Sequence, residues 1–197
     1  MKRDNLKIAV IGLNGIGSYF VRGLSELIKK DVVGLDRINI MGIDLFDFDT
    51  IEEKNFSYTI YDIEHLGRNK SEVLSEMTGY KARTEKIEKA EQLADYDLVV
   101  LAVDNNEVRN LVYEVGNKFL DLRAKGKGIM AYLTQKDDTE YLELTKDTGE
   151  KGGCQYEKDI EDKTIELGNR IVAEIGLQYL VDYCRGKIEK KKHIEMI

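Results

Sequence analysis

The stretch "VIGLNGIGS", residues 10–18, places three glycines between an apolar run and a segment with helical spacing. A strand, a glycine-rich turn and a helix can form a phosphate-binding loop, because the start of the helix offers free N–H groups to an anion. Dinucleotide-binding loops require G-x-G-x-x-G. Counted from Gly12, Asn14 stands at the second glycine position, and Gly15 and Gly17 follow. The stretch predicts a phosphate-binding loop of another kind, with an ordinary tight turn as the alternative.

Strands and helices alternate on the C-terminal side of this loop. Short runs rich in β-branched residues fit strands that are buried on both faces, and apolar residues three and four apart fit helices. The alternation predicts a doubly wound, mostly parallel α/β sheet of the Rossmann-like class. The predicted strands are "LKIAVI", "RINIMGI", "KARTEKI" at an edge, "DLVVLAV" and "FLDLR", and the predicted helices include "SYFVRGLSELIKK", "SEVLSEMTG" and "NEVRNLVYEVGNKF".

The second half of the chain has a different pattern. The β-like runs "GIMAYLTQ" and "TEYLELTK", separated by "KDD", predict an antiparallel hairpin added to the sheet. The stretch "TIELGNRIVAEIGLQYLVDYCRG" predicts a long C-terminal helix, in which Gly168 and Gly176 suit close packing against the sheet or a partner helix. No repeat or linker interrupts the chain, so we expect a single nucleotide-binding domain over residues 1–197.

Composition limits the class of protein. The net charge of −7 argues against nucleic-acid binding, and we expect the basic run "KIEKKKH" to be a solvated tail. No apolar run approaches the roughly 20 residues that span a bilayer. The start "MKRDNLKIAV" lacks a signal-peptide core, and the two cysteines form no disulfide framework. We therefore expect a cytoplasmic protein without a membrane partner.

Acidic residues follow the second predicted strand, in "GIDLFDFDTIEEKNF". A carboxylate at this place in a doubly wound sheet can accept hydrogen bonds from a ribose. Asp44, Asp47 and Asp49 are the candidates, and a solvated acidic loop is the alternative for each of them.

Two further charged residues stand where ligands bind in such sheets. Lys70, in "GRNK", precedes a predicted helix and can point back at phosphates; a solvated lysine is the alternative. Asp104 follows the strongest predicted strand, at the edge where the ligand crevice opens. A single carboxylate there can bind Mg²⁺ together with water and phosphate. Its alternative role is a helix N-cap, since "DNNEV" is also a capping sequence.

The order of "GLNGIG", "DLFDFDTIEEKNF", "GRNK" and "DYDLVVLAVDNNEVR" resembles the ThiF/MoeB family over about residues 7–125. Members of this family use ATP to adenylate the carboxylates of ubiquitin-like proteins and related substrates. Their loop reads G-x-G-G-x-G, from which this sequence departs at Asn14. The resemblance thus favours ATP over a dinucleotide as the ligand.

The resemblance also implies roles for individual residues. It implies ATP and Mg²⁺ as cofactors, a homodimer, and a ubiquitin-like protein or peptide as the carboxylate substrate. The implied site consists of Gly12, Gly15 and Gly17 in the nucleotide loop, Asp47 at the ribose with Asp49 as the second residue of the D-x-D pair, Asn55 at the phosphates, Lys70 as the cation that neutralises them, and Asp104 at Mg²⁺.

The sequence also departs from the family. Where the family reads N-L-x-R-Q, this chain reads "NFSYT", so Tyr58 replaces an arginine that helps to bind triphosphate. We expect Arg123, at the end of "FLDLR", to supply the missing charge. The family's paired C-x-x-C motifs are absent, which predicts no structural zinc. Cys154, in "KGGCQ", is the candidate for a thioester-forming cysteine, whereas Cys184 fits a helix core.

Three interpretations follow from these residues. The first is an active adenylyltransferase, and the second is a non-catalytic ThiF-like protein that binds nucleotide or serves as a scaffold. The third is an NAD-binding Rossmann protein. Asn14, Lys70 and Asp104 disfavour the third, while Tyr58 keeps the second open.

Overall fold

The structure is a computed structural model that describes residues 6–30, 40–125, 127–145, 160–162, 166–188 and 190–196. The strands are β1 (Leu6–Ile11), β2 (Ile40–Phe46), β3 (Lys81–Arg83), β4 (Leu98–Leu101), β5 (Lys118–Lys125), β6 (Gly128–Thr134) and β7 (Lys191–Met196). The helices are α1 (Gly15–Lys29), α2 (Lys70–Thr78), α3 (Asn106–Val115), α4 (Thr139–Thr145) and α5 (Gly168–Cys184). Short 3₁₀ turns, among them Glu53–Ser57, lie in the connections.

The seven strands form one sheet in the order β3-β2-β1-β4-β5-β6-β7. The strands from β3 to β5 in this order pair in parallel. The pairs β5–β6 and β6–β7 are antiparallel. This confirms the doubly wound, mostly parallel fold. The chain order reverses between β1 and β4, and ligands bind beyond the carboxyl ends of the strands at such a reversal. Ile11 pairs with Leu101 there, which brings the turns after β1 and β4 together.

Alternating side chains of the buried strands pack on both faces of the sheet. On β1, Ile8 and Val10 join the core beneath α1 and α5, while Ala9 and Ile11 join the core beneath α3. Gly176 of α5 lies against the sheet as expected, because an added Cβ would stand 2.8 Å from Leu122 of β5. This glycine is therefore used for packing within the chain.

The predicted hairpin is wrong in its second strand, which is a helix. β6 pairs with β5 and β7, whereas "TEYLELT" forms helix α4. The carboxylate of Asp138 accepts the backbone N–H of Tyr141, as an N-terminal cap does. Tyr141 is buried against Phe119 and Tyr132, while the next three side chains are exposed. One buried aromatic per turn suits a short surface helix better than a half-buried strand.

The expectation of a solvated C-terminal tail is wrong for the backbone of its basic run. Residues 191–193 belong to β7, which pairs with β6, although their side chains remain largely exposed. Lys190 lies 2.9 Å from Asp138, and Lys192 contacts Glu140. These lysines thus form ion pairs with residues at the start of α4, although their side chains stay partly exposed. Within the described ranges, no helix is long and apolar enough to cross a bilayer.

Candidate functional site

A cavity of about 470 Å³ opens at the reversal of strand order. Its volume falls within the roughly 300–1,000 Å³ of small-molecule sites. The lining combines the apolar side chains of Phe46, Ile87 and Val103 with charged residues. Apolar walls suit a base and charged ones suit a sugar phosphate, so the lining fits a nucleotide. The charged lining residues are Asp47, Asp49, Lys54, Glu85, Lys86 and Asp104.

Two of the loop glycines are required by the backbone itself. Gly12 lines the cavity and has a φ of +84°, and an added Cβ would stand 2.7 Å from the Ala102 carbonyl oxygen. An added Cβ at Gly17 would stand 1.8 Å from the Gly12 carbonyl oxygen. Gly17 therefore lets α1 begin directly against the loop. The contribution of Gly17 to the nucleotide loop stays a prediction.

Gly15 is covered by a side chain from the far end of the sequence. The Nδ2 atom of Asn169, on α5, lies 2.4 Å from the point where a Cβ would stand. A carboxamide therefore covers the first residue of α1. Asn14, the residue before α1, makes no side-chain capping bond, so the first N–H groups of α1 remain free of a side-chain cap.

Asp47 connects the glycine loop to the end of β2. Its Oδ2 accepts the Leu13 backbone N–H at 2.7 Å, and its Oδ1 accepts that of Asp49 at 2.9 Å. Burial raises the pKa of the Asp47 carboxyl, although the Lys70 charge and both N–H groups oppose this. The geometry gives Asp47 a loop-positioning role, and its contact with a ribose stays a prediction.

Lys70 is buried, so the solvated-lysine alternative is wrong. It is 4% exposed, and its Nζ lies 3.2 Å from Oδ2 of Asp49, whose side chain is 54% exposed. Asn69 caps α2 and donates to the Asp47 and Asp49 carbonyls, which places Lys70 beside the acidic loop. The Lys70 ammonium thus lies next to a carboxylate that lines the cavity.

Asp104 does not serve as the helix cap. Asn105 caps α3, because its Oδ1 accepts the Glu107 N–H at 2.7 Å. The Asp104 side chain is exposed, lines the cavity, and has no hydrogen bond or ion pair with any described residue. A Mg²⁺ ion keeps most of its water and phosphate ligands and needs one or two carboxylates, so this unpaired group fits. Arg109 donates to the Val103 carbonyl and so fixes the turn that carries Asp104.

Asn55 is buried behind Tyr58 and is not among the residues that line the cavity. Asn55 is 2% exposed, its Oδ1 accepts the Glu52 N–H, and its Nδ2 donates to the Tyr58 hydroxyl at 2.8 Å. Tyr58 itself lines the cavity. Tyr58, which replaces the family arginine, therefore accepts a hydrogen bond from the Asn55 amide. The resemblance assigns that amide to the phosphates.

Arg123 is not among the residues that line the cavity. Its Nε lies 2.7 Å from Oδ2 of Asp121, and its Nη2 donates to the Tyr141 hydroxyl. Asp121 is fully buried and needs a cation, which Arg109 and Arg123 provide. This arrangement does not support a role for Arg123 in replacing the charge lost at Tyr58.

Two lysines that were not predicted from the sequence, Lys54 and Lys86, line the cavity. Lys54 lies in the acidic stretch after β2, and Lys86 is the sixth residue of the predicted edge strand "KARTEKI". Neither position by itself marks a cation that faces a ligand, so the folded arrangement reveals them. Cys154 lies outside the described residues, and Cys184 is buried in α5 as expected. In the part of the chain that the structure describes, no three His, Cys, Asp or Glu side chains are grouped to hold a metal ion.

Solved structures show the same fold. Crystal structures of Escherichia coli MccB with AMPCPP and MccA, and of MccB with ATP, align with TM-scores of 0.66 and 0.63, both at 15% identity. PaaA aligns with a TM-score of 0.65 at 14% identity. Each alignment covers 98% of this chain and 64% of the other, so this chain spans less than two thirds of their length. The likeness at these identities concerns the fold.

A search of curated protein sequences gave no match. The model of the ThiF family, in contrast, matches residues 2–122. That match covers more than half of the sequence and includes the glycine loop, Asp47, Lys70 and Asp104. The chain therefore belongs to the ThiF family.

Proposed function

We propose that this protein is an ATP-dependent adenylyltransferase that activates the C-terminal carboxylate of a peptide or ubiquitin-like protein. One observation carries the proposal: a single cavity joins the unpaired carboxylate of Asp104 to Asp49, which holds the buried ammonium of Lys70. A cation and a free carboxylate beside a glycine loop are the groups that Mg-ATP chemistry needs.

In the proposed reaction, an oxygen of the substrate carboxylate attacks the α-phosphorus of ATP. The bond from that phosphorus to the bridging oxygen breaks, and pyrophosphate leaves. Positioning and charge neutralisation supply most of the catalysis in such a step, so no side-chain nucleophile is required. Lys70 would neutralise charge on the phosphates, and Asp104 would hold Mg²⁺, which supplies charge stabilisation when bound.

The structural neighbours support a peptide as the substrate class. MccB has been crystallised with ATP and, separately, with the N-formylated form of MccA. The present chain shares the MccB fold over nearly its whole length, and its cavity lies at the strand reversal where ligands bind in such sheets. A peptide carboxylate is therefore the first substrate to test, with small proteins as the second.

A second candidate function is nucleotide binding without catalysis, as a regulator or scaffold. Tyr58 favours it, because a neutral phenol replaces the arginine and engages Asn55. The two candidates differ in turnover. Both predict that Mg-ATP binds in preference to NAD, which calorimetric titration with the two ligands would measure.

Asp104→Asn is expected to lower ATP–pyrophosphate exchange by about a hundredfold, since removal of one preorganised charge contact has an effect of that order. The substitution should leave the fold unchanged, because Asp104 is exposed and makes no hydrogen bond or ion pair with a described residue. Asp95→Asn, at another exposed aspartate outside the cavity lining, is the matched control. Equal exchange in wild type and Asp104→Asn would remove Asp104 from the site.

We also expect a homodimer, as the family resemblance implies. Gly176 does not support the dimer, because it packs against Leu122 of the same chain. Light scattering at micromolar concentration should give about twice the chain mass of 22.6 kDa. A mass of 22.6 kDa both with and without ATP would contradict this expectation.

A further inference from the structure

Asn169 is a buried carboxamide without partners. It is the second residue of α5 and is 2% exposed. Neither its Nδ2 nor its Oδ1 has a hydrogen-bond partner within the described ranges. Buried polar atoms are nearly always paired in folded proteins, because unpaired burial is unfavourable. An unpaired carboxamide therefore has a donor and an acceptor available for a ligand.

The position of Asn169 indicates which site that ligand occupies. Its Nδ2 and Cγ lie 2.4 Å and 3.0 Å from the point where a Cβ would stand on Gly15, the first residue of α1. The Tyr58 ring lies 3.4 Å from the same point. Asn14, which lines the cavity, has a second unpartnered buried atom, its Oδ1. The unpaired groups thus lie together at the glycine loop.

The charge at this position favours an anion. Both α1 and α5 begin here, with 15 and 17 residues. Neither helix has a side-chain cap or an acidic residue in its first turn. Uncapped helix starts offer free N–H groups and the positive end of the helix dipole. Arg170 adds a guanidinium 5.3 Å from the centre of the Tyr19 ring, on the next turn of α1.

We propose that Asn169 is a phosphate-binding residue of the nucleotide site, its Nδ2 donating to a phosphate oxygen of ATP. This rests on the proposed function for the choice of ATP. Asn169 would supply a neutral hydrogen-bond donor close to Tyr58, which stands where the family has an arginine. Because Asn169 is covered in the free protein, a neighbouring side chain must move when phosphate enters. Tyr58, which directly follows the 3₁₀ turn Glu53–Ser57, is the neighbour placed to do so.

The test compares Asn169→Ala and Asn169→Asp with wild type in calorimetric titrations with ATP, tripolyphosphate and adenosine. Loss of a hydrogen bond to a charged group should raise the Kd for ATP about tenfold in Asn169→Ala. Asn169→Asp places a negative charge there, so its Kd should rise further. Adenosine carries no phosphate, and its Kd should change by less than about twofold. Asn110→Asp, on the exposed face of α3, is the control and should bind ATP as wild type does.

A stability measurement separates this role from a structural one. Removing an unpaired buried amide should leave the free protein as stable as wild type or more so, while ATP should raise its Tm less. Unchanged ATP affinity in both variants would overturn the proposal, and so would an equal loss for adenosine. Wild type that binds neither ATP nor tripolyphosphate would overturn it as well. If no carboxylate supports pyrophosphate exchange but Asn169→Asp still loses tripolyphosphate binding, only the proposed function fails.

Discussion

Replacing Lys70 with methionine is expected to lower ATP–pyrophosphate exchange by about a hundredfold or more, which corresponds to about 3 kcal/mol of transition-state stabilisation. The ammonium is the one cation that the structure holds buried beside a carboxylate of the cavity among the described residues. Methionine keeps the unbranched apolar stem and removes only the charge. Its partner Asp49 is 54% exposed. The buried Asp47 also loses the Lys70 charge but keeps its two backbone N–H donors, so the fold should persist.

Lys136→Met is the matched control, because Lys136 is exposed and does not line the cavity. Both variants should remain folded, as circular dichroism would show, while only Lys70→Met should lose exchange. Exchange within about threefold of wild type in Lys70→Met would show that charge neutralisation at the phosphates comes from elsewhere, with Lys54 and Lys86 as the next cations to test.

Replacing Gly17 with alanine is expected to lower the free energy of unfolding by about 3 kcal/mol or more, in the range of strongly disruptive core substitutions. The added Cβ would stand 1.8 Å from the Gly12 carbonyl oxygen and 2.9 Å from its carbon. These are backbone atoms, so α1 must move away from the loop. Urea denaturation followed by circular dichroism measures the loss.

Gly42→Ala, in β2, is the control for the effect of alanine itself. A Cβ at Gly42 would meet no atom within 4 Å, and alanine restricts the unfolded chain more than glycine does. This variant should be as stable as wild type or more stable by up to about 1 kcal/mol. If Gly17→Ala and Gly42→Ala were equally stable, the contact between α1 and the loop would not be as tight as described.

The order of elements could be predicted because its signals are local. Buried strands such as "DLVVLAV" have continuous apolar runs, and helices such as α1 have apolar residues at a spacing of three and four. The run "TEYLELT" could not be assigned by that means, because a short apolar run fits both types of element. The Asp138 cap and the burial of Tyr141 decide it, and the latter depends on neighbours from other strands.

The candidate site was predictable where position along a strand determines it. Gly12 and Asp104 follow β1 and β4, so topology alone brings them to one edge. Partners across the fold were not predictable. The occupation of Asn55 by Tyr58 depends on hydroxyl geometry, and the approach of Asn169 to Gly15 depends on how α5 packs on α1. The pairing of Arg123 with Asp121 is different, because these residues are two apart on one strand and therefore share a face of the sheet. Their spacing could have indicated that pairing.

The NAD-binding interpretation also depends on the loop. The second glycine of a dinucleotide loop lets backbone approach pyrophosphate, and Asn14 puts a side chain at that position. Membership of the ThiF family agrees with a nucleoside triphosphate as the ligand. Tight binding of NAD without binding of ATP would contradict this choice of ligand.

The most direct measurement is ATP–pyrophosphate exchange by the wild-type protein with a panel of peptides and small proteins that have free C-terminal carboxylates. Adenylation is reversible, so an active enzyme with its cognate carboxylate must transfer labelled pyrophosphate into ATP. We predict exchange that requires both Mg²⁺ and one class of carboxylate and that falls about a hundredfold in Lys70→Met and Asp104→Asn. Binding of Mg-ATP with no exchange across the panel would contradict the proposed adenylyltransferase activity. It would favour the second candidate function, nucleotide binding without catalysis.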